Sequence, residues 1–147
     1  MKDYRDTEDI DWDLFRDAYA LIKTTSDEDI DLEKWCQPHM VDPCRTLACA
    51  AGTLAVNPLF NDRGLKRHVR GKPYCIVNGE YLSGFEALAC VFKISLVETT
   101  ILFGIRGIAG ERTAIKIADN DQPNHLSDRQ VWLNRVEHFF ARHGQIL

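Results

Sequence analysis

Residues 74–103 read YCIVNGEYLSGFEALACVFKISLVETTILF, and the clearest change of periodicity in the chain falls within them. Tyr74-Cys75-Ile76-Val77 and Glu80-Tyr81-Leu82 are short runs of strand-forming residues separated by Asn78-Gly79. Asn-Gly accepts the positive φ angles of a tight type I′ turn, so the spacing predicts a β-hairpin. Two helix starts follow. Ser83-x-x-Glu86 and Ser95-x-x-Glu98 have capping-box spacing, in which the serine bonds the third helical amide and the glutamate reaches back. The first helix is expected to bury Phe85, Leu88, Ala89 and Phe92. The second is expected to bury Val97, Ile101 and Leu102 and to stop near Gly104.

On the N-terminal side, residues 9–24 predict an amphipathic helix. Ile10, Leu14, Phe15, Ala18, Leu21 and Ile22 form one apolar stripe. An acidic loop, 25–31, comes next, and Pro38 and Pro43 interrupt the stretch after it. The Ala-rich run LACAAGTLAV predicts a helix with Thr46 as its N-cap, ended by Asn57-Pro58. A short turn or helix over 58–64 ends at Gly64. On the C-terminal side, residues 104–126 carry three glycines and Pro123, with Thr113 to Ala118 a further helical candidate. Ser127-x-x-Gln130 opens a last helix that puts Trp132, Val136, Phe139 and Phe140 on one face, expected to pack on the two capped helices. Gly144 marks its end. The expected fold is mainly α, in the α+β class: a compact helical domain with one small hairpin near 74–82. It is read as one domain, 1–147, with 1–31 an acidic N-terminal helix and loop and 32–147 the core.

Composition sets the outer limits. A chain of 147 residues, 45% hydrophobic, has enough apolar surface for one core. Charged residues at 27% and a mean hydropathy of −0.27 exclude a wholly disordered chain. No apolar run approaches the ~20 residues of a membrane span. The first twenty residues are rich in Asp and Glu, unlike a secretory signal or a basic transit peptide. A soluble protein of the cytoplasm, without membrane contact, is the expectation. The five cysteines are an odd number and suit a reducing compartment. Cys75 and Cys90 sit in apolar contexts and read as small buried hydrophobes.

Charge is unevenly spread. Residues 1–35 carry −7 and residues 36–147 carry +3. Asp9, Asp13 and Asp17 recur every fourth residue, about 6 Å apart along a helix axis. That rise is of the order of the phosphate spacing along a nucleic-acid strand, although a solvated face is the ordinary reading of exposed acids. The one basic cluster is Arg63, Lys66, Arg67, His68, Arg70 and Lys72. It has no interleaved aromatic before Tyr74, so nucleic acid is not expected as a direct partner.

Three constellations could carry chemistry. Cys36-x2-His39-x4-Cys44-x4-Cys49 offers four ligand types for a tetrahedral zinc. Cys49 falls on the expected helix, however, away from a common centre, so no metal is expected and zinc is the alternative. Cys44, just before a helix start, and His39 are the elements of a Cys–His nucleophile, but their meeting in space is not legible in sequence. No phosphate loop, Gly-x-Ser-x-Gly or His-Glu-x-x-His is present, and the chain is not expected to be an enzyme. Residues 86–103 have helix-turn-helix spacing, yet the second helix holds Glu98 and no Lys or Arg, leaving Thr99 and Thr100 to contact bases.

Trp35 followed by Cys44-Arg45-Thr46-Leu47-Ala48-Cys49-Ala50-Ala51-Gly52 resembles a family of small, uncharacterised bacteriophage and prophage proteins. Their pattern is an upstream Trp and then Cys-Gly-Thr-x-x-Cys-x-x-Gly. Pro58-Leu59-Phe60, Gly64-Leu65, Pro73-Tyr74, Gly84-Phe85 with Ala87, and Leu102-Phe103-Gly104 stand in the same order, so the resemblance spans about 32–142. Arg45 departs from the family's Gly. The resemblance implies provenance and no activity. Small phage proteins of this type would bind and inhibit a host protein in the host cytoplasm, such as a defence effector (a counter-defence role of the anti-CRISPR kind), a nuclease or a polymerase. Acidic mimicry by Asp9, Asp13 and Asp17 is one route, and Arg67 and Arg70 of the basic segment are the other candidate contacts. A Cys/His zinc module and a helix-turn-helix DNA-binding protein are the alternatives.

Overall fold

The computed structural model describes residues 10–32, the backbone of 37–38 and 46–47, and residues 49–67, 72–104 and 126–147. Along them run α1 (Trp12–Thr24), a 3-10 turn (Asp27–Asp29), β1 (Gln37–Pro38), β2 (Thr46–Leu47), α2 (Ala50–Ala55) and α3 (Pro58–Asp62). These are followed by β3 (Lys66–Arg67), β4 (Pro73–Val77), β5 (Glu80–Ser83), α4 (Phe85–Phe92), α5 (Leu96–Phe103) and α6 (Asp128–Arg142). The architecture is mainly α, with a three-stranded antiparallel sheet ordered β3-β4-β5 and a separate β1-β2 pair. Asp9, Trp35, Cys36, His39, Cys44, Arg45, His68, Arg70 and the Thr113–Ala118 segment lie outside the described residues.

Helix α1 starts at Trp12 rather than at residue 9. Asp11 caps it, accepting from the Leu14 amide at 3.1 Å. The Asp11 amide is already committed to the Phe92 carbonyl at 3.1 Å, which ties the start of α1 to the end of α4. The stripe Leu14, Phe15, Ala18 and Ile22 is buried. Leu21 is only partly so. Helix α6 starts as its sequence implies, with Ser127 Oγ accepting from the Gln130 amide at 3.1 Å, and Gly144 takes a positive φ of 66° just past its end.

These two helices carry the densest aromatic packing. The Trp12 ring lies 5.3 Å from Phe139 and 5.0 Å, edge on, from Phe140. Phe15 lies 4.4 Å from Phe92 and 5.3 Å from Phe139. Phe139 and Phe140 therefore pack chiefly on α1. Of the last helix's aromatics, Trp132 is the one on a capped helix, 5.8 Å from Phe103 of α5.

The hairpin has the expected register, Ile76↔Tyr81 and Cys75↔Leu82, around Asn78 (φ 52°) and Gly79 (φ 79°). β3 adds a third strand, Lys66↔Tyr74 and Arg67↔Pro73. Nothing in the basic texture of 63–72 signals it, because its two residues are held by backbone pairing and both are exposed.

Two expected caps are replaced. Ser83 does not cap α4, because it belongs to β5 opposite Tyr74. Gly84 follows at φ 61°, its amide donating to the Pro73 carbonyl at 2.8 Å, and turns the chain directly from strand to helix. Thr46 does not cap α2 either. It pairs with Pro38 in the β1-β2 ladder, and α2 begins at Ala50 with Cys49 as its N-cap. The Ser95 cap holds, its Oγ accepting from the Glu98 amide at 3.1 Å. On α5 the buried residues are Thr99, Ile101, Leu102 and Phe103, whereas Val97 is 47% exposed instead of buried. Phe85 is partly buried.

Phe139 is fully buried between α1 and α6. Phe139→Ala is expected to cost about 3–5 kcal/mol, the range for emptying a buried aromatic site. Chemical denaturation monitored by circular dichroism checks this, and a loss under ~1 kcal/mol would place the residue outside the core.

Candidate functional site

The apolar stripe of α1 is committed to α6, so its polar side faces outward. Asp13 and Asp17 are both exposed there. Asp13 pairs with Arg16 at 2.8 Å, although its side chain stays 91% exposed. Asp17 has no ion-pair partner among the described residues. Asp27 and Glu28, in the 3-10 turn after α1, are also exposed. Of the predicted four-residue repeat, α1 carries Asp13 and Asp17, since it begins at Trp12.

A set of cross-links fixes the orientation of that side. Arg16 donates through Nε and Nη2 to the Ile146 carbonyl at 3.0 and 2.7 Å, which brings the C-terminal tail onto α1. Arg129 of α6 bonds the Asp27 carboxylate and donates to the Lys23 carbonyl at 2.7 Å, closing the last turn of α1. That guanidinium first, and the Ser127 hydroxyl second, hold the Asp27 carboxyl below the usual carboxylate range. The Leu32 amide donates to Asp128 Oδ2 at 3.0 Å, so the segment after the 3-10 turn is also tied to α6.

Tyr19 makes the mid-helix link, its hydroxyl donating to Glu137 Oε1 at 2.7 Å. Burial first, then the hydrogen bond and charge of Glu137, push the Tyr19 phenol up to about 12. These links were not legible, because each joins residues about a hundred positions apart. Arg135 lies in the core as well. It is fully buried, and Nη1 donates to the Gly104 carbonyl at 2.7 Å, beyond the end of α5. A charge on the stripe that holds Trp132, Val136 and Phe139 was the available signal.

Within the Trp…Cys-x-Thr-x-x-Cys-x-x-Gly pattern, the described residues are the backbone of Thr46 together with Cys49 and Gly52. Cys49 is 2% exposed, and its Sγ accepts from the Gly52 amide at 3.3 Å. Cys49 thus serves as a helix cap. Ala50, Ala51 and Gly52 are buried beside it. With Trp35, Cys36, His39 and Cys44 outside the described residues, the zinc alternative has one described member, Cys49. Among the described residues no group of three or more ligand-type side chains comes together.

Cys75 is buried, and desolvation first, then the neighbouring Cys90 thiol, push it up to about 11, so it stays protonated. Cys90 is only partly buried. On α5, the would-be recognition helix, Thr99 is buried with its hydroxyl on the Ser95 carbonyl. Glu98 approaches Arg142 and His143 of the α6 end at 3.8 and 3.5 Å. The exposed residues of its first turn are Leu96 and Val97, which give no polar group for base edges. Arg67 is exposed on β3, and with Lys66, Tyr74 and Val56 it lines a depression of about 520 Å³. Among the described residues no helix is long and apolar enough to cross a membrane.

Comparison with protein-family models, with curated proteins and with solved structures finds no match to this chain.

Two outcomes follow from this geometry. The folded-state value of Tyr19 lies above its ordinary 10.0. Its contribution to stability is therefore complete below about pH 10 and lost as pH rises through about 12. Tyr19→Phe is expected to remove that part of the alkaline destabilisation, read from denaturation midpoints across the interval. For the thiol cluster, metal analysis of the purified protein is expected to find well under one equivalent of zinc. Cys49→Ser, which retains a capping oxygen, is expected to leave both metal content and the helix unchanged. Stoichiometric zinc lost on that substitution would reverse the assignment.

Proposed function

We propose that this chain is a non-enzymatic binding protein whose acidic α1 side engages a basic surface on a partner protein. With the phage-type resemblance, that partner is a host protein of the bacterial cytoplasm, inhibited by occupation of a nucleic-acid-binding groove. The observation that carries the reading is the exposure of Asp13 and Asp17 on a helix whose other side is locked into the core. Two carboxylates one helical turn apart on a rigid support form a preorganised charge row, and a partner pays little ordering entropy to meet it. Asp13 shares its charge with Arg16, so Asp17 is the stronger contact of the two.

Interface charges of this kind govern encounter more than residence. Affinity purification from the host supplies the partner, and stopped-flow or biosensor kinetics then supply the test. Asp17→Lys, and more so Asp13→Lys with Asp17→Lys, is expected to slow association at low salt by about tenfold and to flatten its salt dependence. The fold should be unaffected, since neither residue belongs to the buried stripe. An unchanged association rate in the double variant would remove α1 as the contact.

A further inference from the structure

We infer that the outer face of the β3-β4-β5 sheet binds single-stranded nucleic acid. The face is built by strand alternation. Cys75 and Leu82 turn into the core, so their neighbours Tyr74, Ile76 and Tyr81 turn outward. Ile76 is 64% and Tyr81 53% exposed. Tyr74 and Tyr81 stack across the hairpin with ring centroids 5.3 Å apart and planes within 21°. In the sequence the basic cluster has no aromatic before Tyr74. The hairpin register brings a second ring, Tyr81, beside it, and the β3 register sets Lys66 directly opposite Tyr74.

Cations line two depressions that include residues of the paired strands. Lys66, opposite Tyr74, and Arg67, opposite the buried Pro73, line a depression shared by Tyr74 and by Ala55, Val56 and Asn61 of the α2–α3 segment. Lys72 lines a second depression, about 360 Å³, that includes Ser83, the cross-strand neighbour of Tyr74. Tyr74 of the first depression and Ser83 of the second are paired across β4 and β5, and the lining of each depression includes a lysine. Glu86 lies in the second depression and marks where a phosphate path would end.

This combination fits an unpaired strand. Bases add their π faces to an existing aromatic stack, while flanking cations track the backbone without reading sequence. A duplex keeps its bases stacked inside and would add nothing to the tyrosine rings and Ile76. An acidic peptide would use the cations but gain nothing from a stack of rings. The inference stands apart from the acidic-side reading, since none of these residues belongs to α1.

The test is fluorescence anisotropy with the full chain. The probes are labelled oligothymidylate and oligouridylate of about 20 nucleotides and a DNA duplex of the same length, at ~50 to ~200 mM salt. Both single strands are expected to bind, at least about tenfold tighter than the duplex, and the tighter of the two identifies the natural chemistry. Tyr81→Ala should weaken binding by about tenfold with little change of salt slope, and Tyr81→Phe should restore it. Lys66→Glu with Lys72→Glu, both exposed positions, should weaken binding and flatten the slope. Circular dichroism establishes that each variant is folded. Any of three results would overturn the inference: no single-strand binding at low salt, equal affinity of wild type and Tyr81→Ala, or displacement by polyglutamate as effective as by unlabelled strand. The last would assign the face to an acidic protein segment.

Discussion

The packing of α1 against α6 through Trp12, Phe15, Phe139 and Phe140 is the contact on which the rest of the molecule depends. It joins the two ends of the described chain, and Phe15 extends it to Phe92 of α4. Phe92 in turn meets Phe60 of α3 and Phe103 of α5, and Phe103 meets Trp132 of α6. Aromatic pairs at these distances add about 0.5–1.5 kcal/mol each beyond their area burial. A ring network that visits five of the six described helices leaves little room for one of them to shift alone.

Because the apolar side of α1 is spent on this contact, the opposite side is acidic by default, and its direction is set by polar links at the rim. Arg16 to the C-terminal tail, Tyr19 to Glu137, and Arg129 to Asp27 and the end of α1 all use α1 or the turn after it. Most are partly exposed, so each contributes modestly to stability. Their consequence is geometric, since together they fix the orientation of α1, which exposes Asp13 and Asp17. Arg135 plays the corresponding part inside, where its buried guanidinium satisfies the carbonyls of Leu102 and Gly104 at the end of α5.

The sheet adds a second surface, with Lys66 and Arg67 exposed on β3 and Glu80 exposed on β5. Its inner residues, Cys75 and Leu82, belong to the common core, while Tyr74, Ile76 and Tyr81 turn outward, with Lys66 opposite Tyr74. The acidic and basic segments of the sequence also meet, since the Arg63 guanidinium lies 3.7 Å from the Asp11 carboxylate at the start of α1.

The sequence by itself determined the elements whose signals are local. Asn78-Gly79 specified the hairpin because few residue pairs tolerate consecutive positive φ angles, and Ser95 and Ser127 specified helix starts because a hydroxyl reaches its own third amide. The stripes of α1 and α6 were legible because their polar sides are strongly polar. Only the tertiary structure decided the rest. Ser83 and Thr46 have capping chemistry, but strand pairing with Tyr74 and Pro38 claimed their backbones, and the caps passed to Gly84 and Cys49. On helix α5 apolar residues alternate around the axis with Glu98, Thr99 and Thr100 and form no single stripe, so its rotational phase was undetermined until packing buried Thr99 and left Val97 outside. The candidate surfaces follow the same division. Asp13 and Asp17 were readable from their four-residue spacing, whereas the pairing of Tyr74 with Tyr81 and of Lys66 with Tyr74 arises from strand register. Register follows from which side chains the core accepts, and that information is spread over the whole chain.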